Sequence, residues 1–166
     1  MFSCTKSIFI LPLLFMSLQC HASFDGLVKK ISKKTNVPVW VISKICVHES
    51  QSFHRGKRQA WPWTVNTAGE GSWFRDKQSA VRYANEYMST GKRNIDIGLC
   101  QMNWIYHGHK FKSLEAMFDP QKNMLEAAKY VYKQKGNGTW EEAIGRYHSP
   151  NNKKRAQHYA SLVLAH

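Results

Sequence analysis

Glu49 stands at the end of a stretch with helical spacing, and on its apolar side. Val41, Ile42, Ile45 and Cys46 recur at that spacing between Pro38 and Ser50, and Glu49 falls four residues past Ile45 and eight past Val41. An ionised carboxylate on such a stripe loses hydration unless it is paired; otherwise it keeps its proton to higher pH than a free Glu. A proton-holding acid at the end of a buried helix suits general acid catalysis. The simpler alternative is a terminal Glu whose side chain turns out to solvent.

Other chemistries fit less well. His48-Glu49 invites a zinc reading, but a zinc helix needs a second His four residues after the first. The next is His54, six positions on, while His107 and His109 are two apart with no nearby thiolate or carboxylate. No metal and no cofactor are expected. Cys100 with His148 could form a nucleophilic pair, but an exported and bridged thiol is a poor nucleophile. Glycine-rich phosphate loops are absent. Ordinary glycosidases flank the scissile bond with two carboxylates. The chain has 11 Asp and Glu, and Asp76, Asp119, Glu141 and Glu142 sit at cap or surface positions. Asp96 is the other carboxylate in a motif-like stretch, so the pattern favours a single acid.

The elements that must position Glu49 are mostly helices. Phe24, Leu27, Val28 and Ile31 predict a first amphipathic helix with a lysine-rich outer face (Lys29, Lys30, Lys33, Lys34). That face is either simply solvated or a grip on an anionic polymer. Asn36-Val37-Pro38 breaks it, and Pro38 suits the first turn of the next helix. From Phe53 to Arg75 the helical period disappears. Trp61-Pro62-Trp63-Thr64-Val65 and Ser72-Trp73-Phe74, around Gly69-Glu70-Gly71, read as two short β segments joined by a glycine turn. Trp61, Trp63 and Trp73 suit stacking on sugar faces or forming the insertion's own core. Asp76 caps a helix through Met88, which Gly91 ends, and Asp119-Pro120 starts one running toward Gly136. Thr139 with Glu142 forms a capping box ahead of Ala143, Ile144 and Tyr147. Asn152 to Leu164 closes the chain with Ala156, Tyr159, Ala160 and Val163 on one face. The expected class is mainly α (α+β), a helical domain with a small β-hairpin insertion.

Residues 1–22 are expected to be a signal peptide. Lys6 precedes the apolar run Ile8–Leu18, which is too short to cross a bilayer, and Cys20-His21-Ala22 suits cleavage after Ala22. A lipoprotein signal acylated at Cys20 is the alternative, with Gln19 a poor fit. The remaining 23–166 is long enough for one domain, without linker or internal repeat. It keeps a formal charge of +12, from +13 for the whole chain. Such a charge favours anionic partners, and export makes nucleic acid the least suited of them. No stable membrane span is expected. Cys46 and Cys100 remain as an even pair in an oxidising compartment, which suggests a disulfide; two buried thiols are the alternative.

Val47-His48-Glu49-Ser50 and Asn94-Ile-Asp-Ile-Gly-Leu-Cys-Gln-Met-Asn103 together resemble the soluble lytic transglycosylase domain family, which shares the lysozyme-like fold. That family's "ES", "GLMQ", "DPxxN" and "AYN" motifs are matched in order by Glu49-Ser50, Gly98-Leu99-Cys100-Gln101, Asp119-Pro120-Gln-Lys-Asn123 and Arg146-Tyr147-His148. The likeness covers roughly residues 37 to 160, and four short motifs in order are far more specific than any one. Cys100 replaces the usual Met, His148 stands where Asn is commoner, and Gln51 and Ser52 follow "ES" in place of small residues.

The resemblance implies cleavage of the β-1,4 bond between N-acetylmuramic acid and N-acetylglucosamine in peptidoglycan, with closure of a 1,6-anhydro ring. It implies Glu49 as the single acid/base and Tyr147 as a hydrogen-bond donor near the carboxylate or the substrate acetamido group. Ser50, Asp96, Gln101, Met102, Asn103 and His148 become the expected sugar contacts. It further implies a periplasmic or exported monomer acting on glycan strands, in some cases beside a secretion, conjugation or pilus assembly. A goose-type lysozyme, with Asp96 activating water, and a non-catalytic wall-binding or assembly protein are the rival readings.

Overall fold

The computed structural model describes residues 23–54 and 56–165, so the expected signal segment lies outside the described residues. The architecture is mainly helical with a small antiparallel sheet. Helix α1 (Phe24–Thr35) starts at Ser23, whose hydroxyl accepts from the Gly26 amide, and buries Leu27, Val28 and Ile31. Its four lysines are exposed. Asn36 closes it in a left-handed conformation. Pro38 is then the N-cap of α2 (Val39–Ser50), one position earlier than its expected place inside the first turn.

Strands β1 (Ser52–His54) and β2 (Lys57–Gln59) form a small separate hairpin. The expected β insertion is β3 (Thr64–Thr67) paired antiparallel with β4 (Glu70–Trp73). Ala68 and Gly69 between them both have positive φ (54° and 91°). That is the requirement of the type I′ turn that matches strand twist, and Gly69 meets it without strain. After α3 (Lys77–Ser89), capped by Asp76 Oδ1 on the Ser79 amide, two more strands join the sheet. They are β5 (Ile95–Ile97) and β6 (Met102–Asn103), and the sheet order is β4-β3-β5-β6. The sequence reading contains neither strand, nor the short helices α4 (Trp104–His107) and α5 (Leu114–Met117) and the 3-10 turn Gly108–Lys110.

Helix α6 (Pro120–Lys135) opens on the Asp119 cap with Pro120 in its first turn, and packs on α1, α2 and the next helix. That helix, α7 (Trp140–His148), carries the complete Thr139–Glu142 capping box, and α8 (Lys153–Leu164) is capped by Asn152 and packs along α7. One continuous core joins helices and sheet: Ile42, Ile45, Met124 and Ile144 on the helical side, Val65, Ile95, Ile97 and Met102 on the sheet side. Each such side chain contributes about 1.5–3 kcal/mol by leaving water. No helix among the described residues is long and apolar enough to cross a membrane.

Candidate active site

Helix α2 fixes Glu49 by burying the stripe beneath it; Val41, Ile42, Ile45 and Cys46 are each at most 2 % exposed. The helix stops one residue past Ser50, where Gln51 adopts a left-handed φ of 44°. Glu49 therefore lies in the last turn, where the unpaired carbonyls of the helix end disfavour a negative charge. The residue is partly buried. Burial is the main force on its carboxyl group and pushes the pKa from 4.5 up to about 7. The nearby Asp96 charge pushes the same way, and a hydrogen bond pulls against both.

That hydrogen bond comes from Tyr159 of α8, whose hydroxyl donates to Glu49 Oε1. Burial and the Glu49 charge hold the Tyr159 hydroxyl well above its ordinary pKa, so it remains a donor across the working pH range. The phenol ring is fixed on two sides. His148 stacks parallel to it at 4.6 Å, and His48 meets it edge-on at 5.2 Å. Tyr147, expected to be the donor near the carboxylate, instead donates to the Cys100 carbonyl at 2.7 Å and lies 3.3 Å from the Met102 sulfur. Burial first, and the nearby Glu49 charge after it, raise its own pKa well above the ordinary value.

The Gly98–Gln101 turn lies against the end of α2, and side chains from three helices, α2, α6 and α7, pin it. Ser50 Oγ lies 2.5 Å from the Leu99 carbonyl and 2.7 Å from that of Cys46. Asn123, fully buried on α6, accepts from the Cys100 amide and donates to the Ile97 and Met117 carbonyls, each at 2.9 Å. Gly98 has a φ of 81°, and a Cβ there would lie 2.8 Å from the Asn123 amide, so the turn requires glycine twice over. The Cys46–Cys100 disulfide ties this turn to α2 one helical turn before the acid.

Several residues expected to touch sugar are thereby committed elsewhere. Ser50 and Met102 are buried at 0 % and 1 % exposure, so their roles are in holding the turn and the core. Gln101 gives its amide nitrogen to the Thr64 and Gly98 carbonyls. Asn103 gives its own to Asn94 and to Asp96 Oδ1, and its oxygen accepts from the Ile105 amide at the start of α4. Asp96 is partly buried and His148 is exposed. Burial raises the Asp96 pKa against the opposing effects of Asn103 and His148, and burial lowers that of His148. Among the described residues no cluster of three or more His, Cys, Asp or Glu could hold a metal ion.

Tyr159 is the functional side chain that sequence reasoning missed, because Ala156, Tyr159, Ala160 and Val163 form an ordinary core stripe. The available signal was the phenol itself, since a buried tyrosine hydroxyl needs a partner. In Tyr159→Phe the donor is lost, so the Glu49 pKa is expected to rise above about 7. The alkaline limb of the pH–rate profile would then move to higher pH. An unmoved limb would show that the phenol does not act on the carboxyl group.

What the arrangement can do chemically is deliver a proton near neutral pH from one carboxyl group of fixed orientation, over a pinned turn and near a second carboxyl group, Asp96. No family model, no curated protein and no solved structure matches the chain.

Proposed function

We propose that this protein is a peptidoglycan lytic transglycosylase. The observation that carries the reading is the Glu49 carboxyl group, pushed up to about 7 and held by the Tyr159 hydroxyl as donor. Such an acid is protonated often enough to donate and ionised often enough to accept, which is the optimum for acid/base work near neutral pH. The motif likeness supports the same reading: Ser50, Asn123 and Tyr147, from three of its four motifs, all bond to the turn supplied by the remaining one.

Glu49 protonates the glycosidic oxygen as the bond to the muramyl C1 breaks, and the substrate acetamido group stabilises the oxocarbenium-like charge. The ionised Glu49 then takes the proton of the muramyl C6 hydroxyl, whose oxygen bonds to C1 and closes the 1,6-anhydro ring. Glu49 ends protonated, ready for the next bond. Water is not consumed, so the reaction is an intramolecular transglycosylation and not a hydrolysis. No metal or cofactor takes part. The reading carries with it export to the periplasm, glycan strands as partner and local action beside an envelope assembly.

A hydrolytic, goose-type lysozyme is the second reading, favoured by the electrostatic coupling of Asp96 to Glu49. Asp96 would then activate a water molecule. Against it, Asp96 is partly buried, already bonded to Asn103 and raised in pKa. Mass spectrometry of muropeptides released from purified peptidoglycan separates the two. Anhydro-muramyl products are expected from the wild type; reducing-end products would transfer the assignment to hydrolysis, and none would leave a binding or assembly role.

A further inference from the structure

We infer that Trp73 is a glycan-stacking platform beside the acid, a subsite that rests on the transglycosylase reading and extends it. The three tryptophans of the β insertion separate in the structure. Trp61 is half-buried with its N–H on the Phe74 carbonyl, and Trp63 packs against the core. Trp73 is 49 % exposed. Trp40 is also exposed, but it sits at the opposite end of α2, nine residues or about 13 Å along the axis from Glu49.

Two contacts hold the exposed Trp73 ring still. Its indole N–H donates to the Ser50 carbonyl at 2.7 Å, which satisfies one of the orphan carbonyls at the end of the helix that carries Glu49. The benzo end of the ring lies against Gly71, two residues earlier on the same face of β4. A Cβ at Gly71 would stand 2.9 Å from Cη2 of the ring, so the ring occupies the space a side chain would fill. An exposed indole that merely fills surface would need neither contact. Fixed and half bare, one residue from the acid, it offers a flat electron-rich surface to the C–H face of a pyranose, at little cost in rotamer entropy.

Gly71 makes the inference testable without removing the indole. Its φ lies outside the left-handed region, so Ala is compatible with the backbone there, and the cost to folding stability is confined to the shifted ring and its hydrogen bond to Ser50. The same methyl group must displace the ring. The probe is a soluble tetrasaccharide of alternating N-acetylglucosamine and N-acetylmuramic acid, titrated calorimetrically into Glu49→Gln protein so that no bond is cut. Adding Trp73→Ala is expected to weaken binding about tenfold. Adding Gly71→Ala is expected to weaken it several-fold while the urea midpoint falls less than in Trp73→Ala. If Glu49→Gln binds the tetrasaccharide and both further variants bind equally well, the platform is overturned and the transglycosylase reading stands. If Glu49→Gln and wild type both fail to bind any glycan, the reading and the platform fall together. Should Trp73→Ala unfold, the Gly71→Ala result decides alone.

Discussion

Glu49→Gln is expected to lower kcat by about 10²–10⁴-fold and, at the same time, to stabilise the protein at alkaline pH. The second effect follows from proton linkage. The carboxyl pKa is about 7 folded against 4.5 for a solvated Glu, so the folded state binds the proton more tightly. Below pH 4.5 both states are protonated and the group contributes nothing. Between 4.5 and 7 the unfolded chain ionises first, so stability falls as pH rises. Above 7 the full cost is present, about 3 kcal/mol at most, and partial exposure of Glu49 reduces it. A neutral Gln escapes this cost and still accepts from Tyr159. Urea denaturation of the two proteins at pH 4 and pH 8 checks it: coincident midpoints at pH 4 and a more stable variant at pH 8. A gap independent of pH would mean that Glu49 titrates like any surface carboxylate. Activity of the wild type should decline above pH 7 for the same reason, as the proton to be donated is lost.

Replacing both Cys46 and Cys100 with Ala should act on stability first. The bridge spans a sequence separation of 54, and in the chain-entropy account closing such a loop contributes about 4 kcal/mol. For a domain of this size that is a large part of the total. Yet the turn under Glu49 does not depend on the bridge alone, because Ser50, Asn123 and Tyr147 hold its Leu99 and Cys100 backbone groups independently. The folded fraction of the variant should therefore keep most of its kcat while the urea midpoint drops sharply. Paired measurements of midpoint and kcat at low temperature test this. A kcat that collapses in protein still folded would make the disulfide itself part of the site's geometry, and an unchanged midpoint would remove the entropic argument.

Long elements with explicit start signals were legible in the sequence. The Asp119-Pro120 cap, the Thr139–Glu142 box and the apolar stripe of α2 each combine a local signal with several turns of periodicity. Strands β5 and β6 were not legible, for they span three and two residues, too few for alternation to be distinguished from chance. They exist because β3 offers a pairing edge, a tertiary cause with no local trace. The site divides along the same line. Glu49 and the Cys46–Cys100 pairing were readable, one from stripe position and one from cysteine arithmetic. Which tyrosine reaches the carboxylate was not, since Tyr147 and Tyr159 both lie on apolar helix faces and only the packing of α8 across α2 separates them. Ser50 and Met102 show the converse: a residue adjoining the acid in sequence, or beside a motif, is as readily part of the scaffold.

Glu49 and its donor are 110 residues apart along the chain. In chain order α2 becomes available to fold long before α8. Until α8 has docked, Glu49 lacks its phenol and part of its burial, the two opposed influences that set its pKa. Under the proposed function, activity is therefore expected only with the completed fold.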